Sequence, residues 1–298
     1  MASPRLSFEP YHSAGSGTPM VLLHGFTDTW RCWTRLLPAL EEHHAVFAPT
    51  LPGHAGGEPF ALGTSMTIAA MVDRIERQLD ARGIERAHLV GSSLGGWLSL
   101  ELATRGRALS VVGLCPAGGR EPDAREVRGM LRYFRRNDIM LRHAGPLVRQ
   151  VAARPRARRL ALRDVMAHPS GVTAGEAFTL FEGSAECAIV QDALRLTASG
   201  QMFGELGEID VPVRIAYGTR DRIVRWPSCY VRMRRLLPAA EYVALPGLGH
   251  LPMWEDPELV ERIILQVSDP DTSAPPSADD AVSLPGSERP TLAGSASA

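Results

Sequence analysis

Residues 89–100 read LVGSSLGGWLSL and place two serines among glycines, between an apolar run and a segment with helical periodicity. A nucleophile at the tip of a sharp strand-to-helix turn has a strained backbone, so the residues two before and two after it must be small. Ser93 meets this requirement through Gly91 and Gly95, whereas Ser92 would have bulky neighbours at both crowded positions. Ser93 is therefore the candidate nucleophile. The alternative is an ordinary Gly-Ser turn, because the G-x-S-x-G pattern also arises by chance.

The segments on either side of Ser93 predict a strand and a helix. Residues 87–90 form a short apolar run that is typical of a buried strand, and apolar residues between Leu94 and Leu102 recur at helical spacing. We expect this helix to have one mostly apolar face and to direct its N-terminus at the serine. Unpaired backbone N–H groups and the helix dipole favour negative charge there. This context favours the nucleophile over the ordinary turn.

Length and composition indicate a globular protein. The chain has 298 residues, of which 45% are hydrophobic, and a formal net charge of −1. No run approaches the roughly eighteen apolar residues of a membrane span. The N-terminus lacks the apolar stretch of a signal peptide, so we expect a cytoplasmic protein. The near-neutral charge and the lack of a recognition motif argue against a nucleic-acid partner.

The four cysteines are widely spread and form no C-x-x-C pair. This spacing argues against a metal site and against a disulfide framework. We expect buried thiols at Cys32, Cys115, Cys187 and Cys229.

Short strand-like runs alternate with amphipathic segments along the chain. Helical spacing is clearest over residues 68–79 and over the segment that follows Asp256-Pro257, where the aspartate is a predicted cap. Alternation of this kind predicts an α/β fold with a mainly parallel sheet covered by helices on both faces, and function at the carboxyl ends of the strands. The strand-like runs are residues 21–23, 45–47, 89–90, 111–114, 213–217 and 242–245.

Two regions interrupt the alternation. More than ninety residues separate Leu114 from Val211, so we predict an inserted helical lid over residues 119–206. The core would then comprise residues 1–118 and 207–267. From residue 268 to residue 298 the chain is rich in Pro, Ser and Ala, which predicts a disordered tail.

A serine hydroxyl needs a base to take its proton and a carboxylate to orient that base. His250 lies in a glycine-flanked loop after the last strand-like run, and Asp221 lies in a polar turn after the preceding one. Taken alone, the histidine could be a surface residue and the aspartate could cap its own turn. The chain order Ser93, Asp221, His250, each after a separate predicted strand, favours a triad. The alternative acid is Asp123.

The same chemistry requires two N–H donors aimed at the developing oxyanion. We predict that Leu94, directly after the nucleophile, provides one N–H and Phe26 provides the other. Gly25 permits the unusual turn that aims the Phe26 N–H inward, and His24 before it is interpreted as structural. We also predict that Gly25 and Trp97 contact the substrate.

Over about residues 6–267 the chain resembles the lidded α/β-hydrolases. This resemblance implies that the three residues above form the triad and that Phe26 and Leu94 donate to the oxyanion. Thr50 departs from the pattern, since many relatives have Asp before the Leu-Pro-Gly loop, and we expect it to alter loop bonding and not chemistry. Relatives that dehalogenate or open epoxides carry Asp at the elbow, so Ser93 argues against both activities. The resemblance rests on His24-Gly25-Phe26, Pro52-Gly53-His54, Gly91-x-Ser93-x-Gly95-Gly96, Asp221 and GHLPMWEDPE.

The predicted function is hydrolysis of a carboxylic ester, thioester or lactone of a small to medium substrate through an acyl-enzyme on Ser93. No metal or organic cofactor is implied. Ser93 does not separate this activity from a carbon–carbon hydrolase of the same fold, which uses a similar triad on a vinylogous diketone. A third hypothesis is a non-catalytic ligand-binding protein, against which the complete predicted triad argues.

The first half of the predicted lid is basic and has few acids. The arginines indicate either a solvated helical face or the attraction of an anionic substrate or an acidic carrier protein. They are Arg120, Arg125, Arg128, Arg132, Arg135, Arg136, Arg142, Arg149, Arg154, Arg156, Arg158, Arg159 and Arg163.

Overall fold

One sheet organises the computed structural model, which describes residues 6–61, 64–118, 124–144, 146–269 and 282–283. Within these residues the sheet has eight strands. The strands are β1 (Tyr11–Ala14), β2 (Thr18–Leu23), β3 (His44–Pro49), β4 (Ala87–Ser92), β5 (Ala108–Leu114), β6 (Val213–Gly218), β7 (Glu241–Leu245) and β8 (Val282–Ser283). Their order is β1-β3-β2-β4-β5-β6-β7-β8. The central pairings are parallel, and only the outer pairs β1–β3 and β7–β8 are antiparallel.

Helices cover both faces of the sheet. Along β2, Met20 and Leu22 belong to the apolar cluster on one face, while Val21 and Leu23 belong to the cluster on the other. This period of two is what a strand buried on both faces requires, and it confirms the predicted fold class. The helices are α1 (Leu37–His43), α2 (Ile68–Asp80), α3 (Leu94–Thr104), α4 (Ala124–Ala144), α5 (Pro146–Ala153), α6 (Pro155–Leu162), α7 (Ala174–Ala185), α8 (Val190–Ala198), α9 (Ser228–Leu236), α10 (Pro252–Glu255) and α11 (Pro257–Ser268).

The predicted strand-like runs all fall within strands, and the three helices predicted for the core form as α2, α3 and α11. The Asp256 carboxylate accepts the Leu259 N–H and caps α11, as expected. The prediction for α3 needs correction: every residue from Leu94 to Leu100 is buried, so the helix is covered on all sides and does not present a single apolar face. The edge strand β1 was not predicted, because its side chains are exposed or half-buried and carry no apolar pattern.

Helices α4 to α8 lie between β5 and β6, within the range predicted for the lid. We call them the inserted helices. The N-terminal boundary of the predicted lid, which contains Arg120 and Asp123, lies outside the described residues. Most of the predicted tail also lies outside them, although residues 282–283 pair with β7. In the described part of the chain no helix combines the length and the apolarity needed to cross a bilayer.

Candidate active site

Ser93 lies in the tight connection between β4 and α3, at φ 52° and ψ −113°. A positive φ is strained for a residue with a side chain. A Cβ atom on Gly91 would lie 2.2 Å from the Gly95 carbonyl oxygen, and one on Gly95 would lie 2.0 Å from the Leu23 carbonyl oxygen. Both glycines are therefore required by close backbone approach, as the sequence pattern predicts. The turn holds Ser93 at the carboxyl end of the central strand.

Asp221 and His250 follow β6 and β7 and meet beside this turn. The His250 Nδ1–Asp221 Oδ2 distance is 2.7 Å, and both side chains are buried. The second carboxylate oxygen, Oδ1, accepts the N–H groups of Ile223 at 2.7 Å and Val224 at 2.9 Å. Asp221 thus makes the local turn bonds and also contacts the imidazole. Donation from Nδ1 to the carboxylate leaves the His250 Nε2 as a proton acceptor.

Ser93 and His250 line the same cavity, which we call the Ser93 cavity; its volume is about 90 Å³. Core residues form one side, including Phe26 in the loop after β2. Helix α4 covers the other side with Tyr133 and Phe134, and the Phe26 and Phe134 rings lie 5.1 Å apart. The nucleophile and the imidazole therefore face an aromatic wall made by the inserted helices.

Of the predicted oxyanion donors, Leu94 directly follows Ser93, and Phe26 lines the same cavity as Ser93. Gly25 and Phe26 line the cavity, and Leu94 is the first residue of α3. The Nε2 atom of His24 accepts the Leu51 N–H at 2.8 Å, so its Nδ1 donates to the Gly25 carbonyl at 2.8 Å. Burial holds the pKa of His24 well below its ordinary value, which keeps this acceptor available. His24 thus fixes the turn, in agreement with its structural interpretation.

Trp97 does not reach the cavity, so the predicted substrate contact is wrong for this residue in the structure. Its side chain is fully buried, and its indole N–H donates to Glu101 at 2.9 Å. The ring lies under Gly118, where an added Cβ would come within 2.1 Å of it, and beside Phe203. Helical periodicity identified an apolar position but could not tell the core side of α3 from the cavity side.

Sequence reasoning missed Asp28, which lines the Ser93 cavity. Its carboxylate accepts the Thr29 N–H at 2.8 Å. Burial raises the pKa of Asp28 to about 7, because the charged form is poorly solvated there. The residue lies within HGFTDTW, but the spacing gave no sign that this side chain faces the cavity.

Glu255 was also missed, and it ties the His250 loop to the inserted helices. Its carboxylate accepts the Gly249 N–H at 2.7 Å and the His168 N–H at 2.6 Å. The His250 N–H donates to the Val165 carbonyl at 2.9 Å. The segment after α6 therefore helps to hold the loop that carries the imidazole.

Cys115 lies near the Asp221–His250 pair: its Sγ, an Asp221 oxygen and a His250 ring nitrogen all lie within 4.8 Å of one another. These atoms are the types that bind transition metals. The Cys115 Sγ accepts the Gly218 N–H at 3.4 Å and lies 3.8 Å from the Gly249 carbonyl. Burial raises the pKa of the Cys115 thiol well above its ordinary value, which disfavours the thiolate that a metal needs. We therefore assign the cluster to hydrogen bonding.

The chain is similar to known hydrolases in sequence and in structure. The sequence model of the "Alpha/beta hydrolase family" matches residues 20–263 of the chain. The chain belongs to the alpha/beta hydrolase family. This hydrolase is 34% identical over 201 residues to "Epoxide hydrolase EphH" of Mycobacterium tuberculosis, covering 67% of this chain and 94% of that protein. It is 32% identical over 141 residues to "2-hydroxy-6-oxo-2,4-heptadienoate hydrolase" of Pseudomonas putida, covering 41% of this chain and 51% of that protein.

Among solved structures, this hydrolase is similar to "a membrane phospholipase A, a novel bacterial virulence factor". The TM-score is 0.68 at 26% identity, covering 87% of this chain and 82% of the other. These relatives are named as an epoxide hydrolase, a heptadienoate hydrolase and a phospholipase. These names support hydrolase activity as a class, but they do not agree on the bond that is cleaved.

Proposed function

We propose that this alpha/beta hydrolase cleaves a carboxylic ester of a small molecule through an acyl-enzyme on Ser93. The observation that carries the proposal is the shared cavity. It is lined by a serine on a strained turn and by an imidazole that is hydrogen-bonded to a buried carboxylate. An activated serine attacks a carbonyl carbon, and neighbouring backbone N–H groups can donate hydrogen bonds to the resulting oxyanion.

In the proposed reaction, the Ser93 Oγ bonds to the carbonyl carbon while its proton passes to the His250 Nε2. The Phe26 and Leu94 N–H groups hold the oxyanion, and Asp221 stabilises the imidazolium. The bond to the leaving alkoxide then breaks, and the alcohol departs with the proton from the imidazolium. Water repeats the sequence on the acyl-enzyme and releases the acid. A thioester or a lactone follows the same route.

The size of the cavity supports a short acyl group. A volume of about 90 Å³ is small beside the 300–1,000 Å³ of typical ligand pockets. The walls are aromatic on the side of Phe26, Tyr133 and Phe134. We therefore propose a short apolar acyl group against these rings, with the inserted helices acting as the lid.

The proposed serine nucleophile argues against epoxide opening, the activity in the name of one relative. Attack by the Ser93 Oγ on an epoxide carbon would form an ether, which has no carbonyl carbon for water to attack. Attack on an ester carbonyl forms an acyl-enzyme, which water can cleave. The second candidate is carbon–carbon hydrolysis, favoured by the identity to the heptadienoate hydrolase over 141 residues.

The test is covalent labelling with a fluorophosphonate, followed by intact-mass analysis. The reagent bonds to an activated serine oxygen and releases fluoride, so we expect one adduct in the wild type and none in Ser93→Ala. Ser92→Ala is the matched control: Ser92 is adjacent and fully buried, so its variant keeps the adduct.

A substrate panel then separates the candidate functions. It holds 4-nitrophenyl acetate, butanoate and octanoate, a vinylogous diketone and styrene oxide. We expect butanoate to be cleaved faster than octanoate. Turnover of the diketone alone would select the second candidate, and turnover of the epoxide by the Ser93→Ala variant would overturn the mechanism.

A further inference from the structure

A second cleft adjoins the Ser93 cavity, with a volume of about 450 Å³. Tyr133 and Ile223 line both spaces, so the two spaces meet at these residues. The cleft lies between α4 and the turn that begins at Asp221. We call it the arginine cleft, after the four arginines that line it: Arg125, Arg132, Arg222 and Arg225.

Positive charge exceeds negative charge in the arginine cleft. Besides the four arginines, the charged lining residues are Glu126 and Asp164. The Asp164 carboxylate lies 3.8 Å from Arg222. Among the described residues, neither Arg132 nor Arg225 forms an ion pair. The cleft therefore has two guanidinium groups available for an anion from solution.

The arginines of α4 are concentrated on its outer face. Arg125, Arg132 and the exposed Ile139 are each seven residues apart, so they lie in one row along the helix. Arg135 lies on the same exposed side but outside the cleft. A general solvated surface explains Arg135. It does not explain why residues from α4 and from the turn after Asp221 converge on a space that borders the Ser93 cavity.

We propose that the arginine cleft binds an anionic group, a carboxylate or a phosphate, on the alcohol portion of the substrate. This inference rests on the proposed function. The Ser93 cavity accommodates only a short acyl group, so the alcohol portion must extend out of it. Past Tyr133 and Ile223 it enters the arginine cleft, where planar guanidinium groups match carboxylate and phosphate oxygens.

The test compares two esters that differ only in charge. Both are butanoyl esters of a phenol: one of 4-hydroxyphenylacetate and one of the neutral 4-hydroxyphenylacetamide, so each substrate has a single ester bond. A methylene insulates the leaving phenol from the charge, so intrinsic reactivity is nearly matched. We expect a higher kcat/KM for the charged ester, carried by KM, and a several-fold loss of that preference between low and high salt.

Variants locate the effect. In the double variant Arg132→Gln with Arg225→Gln, the kcat/KM ratio of charged to neutral ester falls roughly tenfold, since two exposed ion pairs are lost. The matched control is Arg135→Gln, which removes a charge from the same helix outside the cleft and leaves the ratio unchanged. Succinate and inorganic phosphate are then tested as inhibitors of the hydrolysis of the charged ester. Stronger inhibition by succinate indicates carboxylate recognition, and stronger inhibition by phosphate indicates phosphate recognition.

Two results would overturn the inference. One is an unchanged ratio in the double variant, and the other is an equal fall in Arg135→Gln, which would indicate long-range attraction and no defined site. Fluorophosphonate labelling of Ser93 reports separately on the proposed function. A labelled enzyme with no charge preference rejects the arginine cleft alone, whereas an unlabelled wild type rejects the ester mechanism itself.

Discussion

The surroundings of Ser93 and the inserted helices differ in the space that they leave for one added methyl group on a glycine. At Gly95 an added Cβ would lie 2.0 Å from a backbone oxygen of β2, whereas at Gly129 in α4 it meets no atom within 4 Å. The first region holds reactive groups by contacts between backbones. The second covers the cavity with helices whose outer faces are open to solvent. In the proposed function, the chemistry lies in the region that leaves no room for an added atom, and substrate selection lies in the region that does.

The largest expected effect comes from Gly95→Ala. Because the nearest atoms to the new Cβ are backbone atoms of Leu23 and His24, no side-chain rotation can relieve the clash. We expect at least about 3 kcal/mol of lost stability, at the upper end of overpacking effects. The displaced start of α3 would also move the Leu94 N–H and lower kcat for any ester. Chemical denaturation and steady-state kinetics measure the two losses.

A Gly95→Ala protein with wild-type stability and kcat would show that β2 can move away from α3. In that case the strict spacing around Ser93 would reflect turn formation and not close packing. Gly91→Ala would discriminate further, since its Cβ would lie 2.2 Å from the Gly95 carbonyl oxygen within the same turn.

The sequence predicted the first region well, for a physical reason. Parallel strands buried on both faces need continuous apolar runs, and a strained turn needs small neighbours, so both leave a local pattern. Asp221 and His250 could be found because each follows a strand, and strand ends meet at one edge of the sheet. The edge strand β1 left no such pattern, since water covers much of it.

For the inserted helices, the sequence predicted only that helices are present and about where they begin and end. Helical spacing and a long connection indicate inserted helices, but not which side chains they turn toward the cavity. Tyr133 and Phe134 line the cavity through the docking angle of α4, which no local spacing encodes. The same limit explains the error at Trp97. It also explains why Asp28 was missed, since this side chain lines a cavity whose other walls come from helices more than a hundred residues away.

Asp28→Asn tests the point where the two regions meet. Burial raises the pKa of this carboxyl from 3.8 to about 7, so the folded protein binds the proton more tightly than the unfolded chain. Its contribution to stability is fully present below pH 4 and is lost as the pH rises through 7. Asparagine stays neutral and can still accept the Thr29 N–H. We expect the variant to gain roughly 1–3 kcal/mol over wild type between pH 5 and pH 8.5.

Thermal unfolding at both pH values measures this gain, with the exposed Asp210→Asn as the matched control. The control removes one carboxylate from the surface. We expect its Tm difference from wild type to be the same at both pH values. A pH-independent effect of Asp28→Asn would mean that water reaches the Asp28 carboxylate. The inserted helices would then cover this side of the cavity less completely than the structure indicates.

The smallest expected effect is Gly129→Ala, the counterpart of the Gly95 substitution. Both glycines lie in helices. At both positions the higher helix propensity of alanine favours the variant by up to about 1 kcal/mol. Nothing surrounds the new methyl group in α4, so we expect a gain of roughly 0.5–1 kcal/mol in the free energy of unfolding. Denaturant unfolding measures it. A loss of stability would show that α4 packs more closely in solution, and the contrast between the two regions would then rest on the strained turn alone.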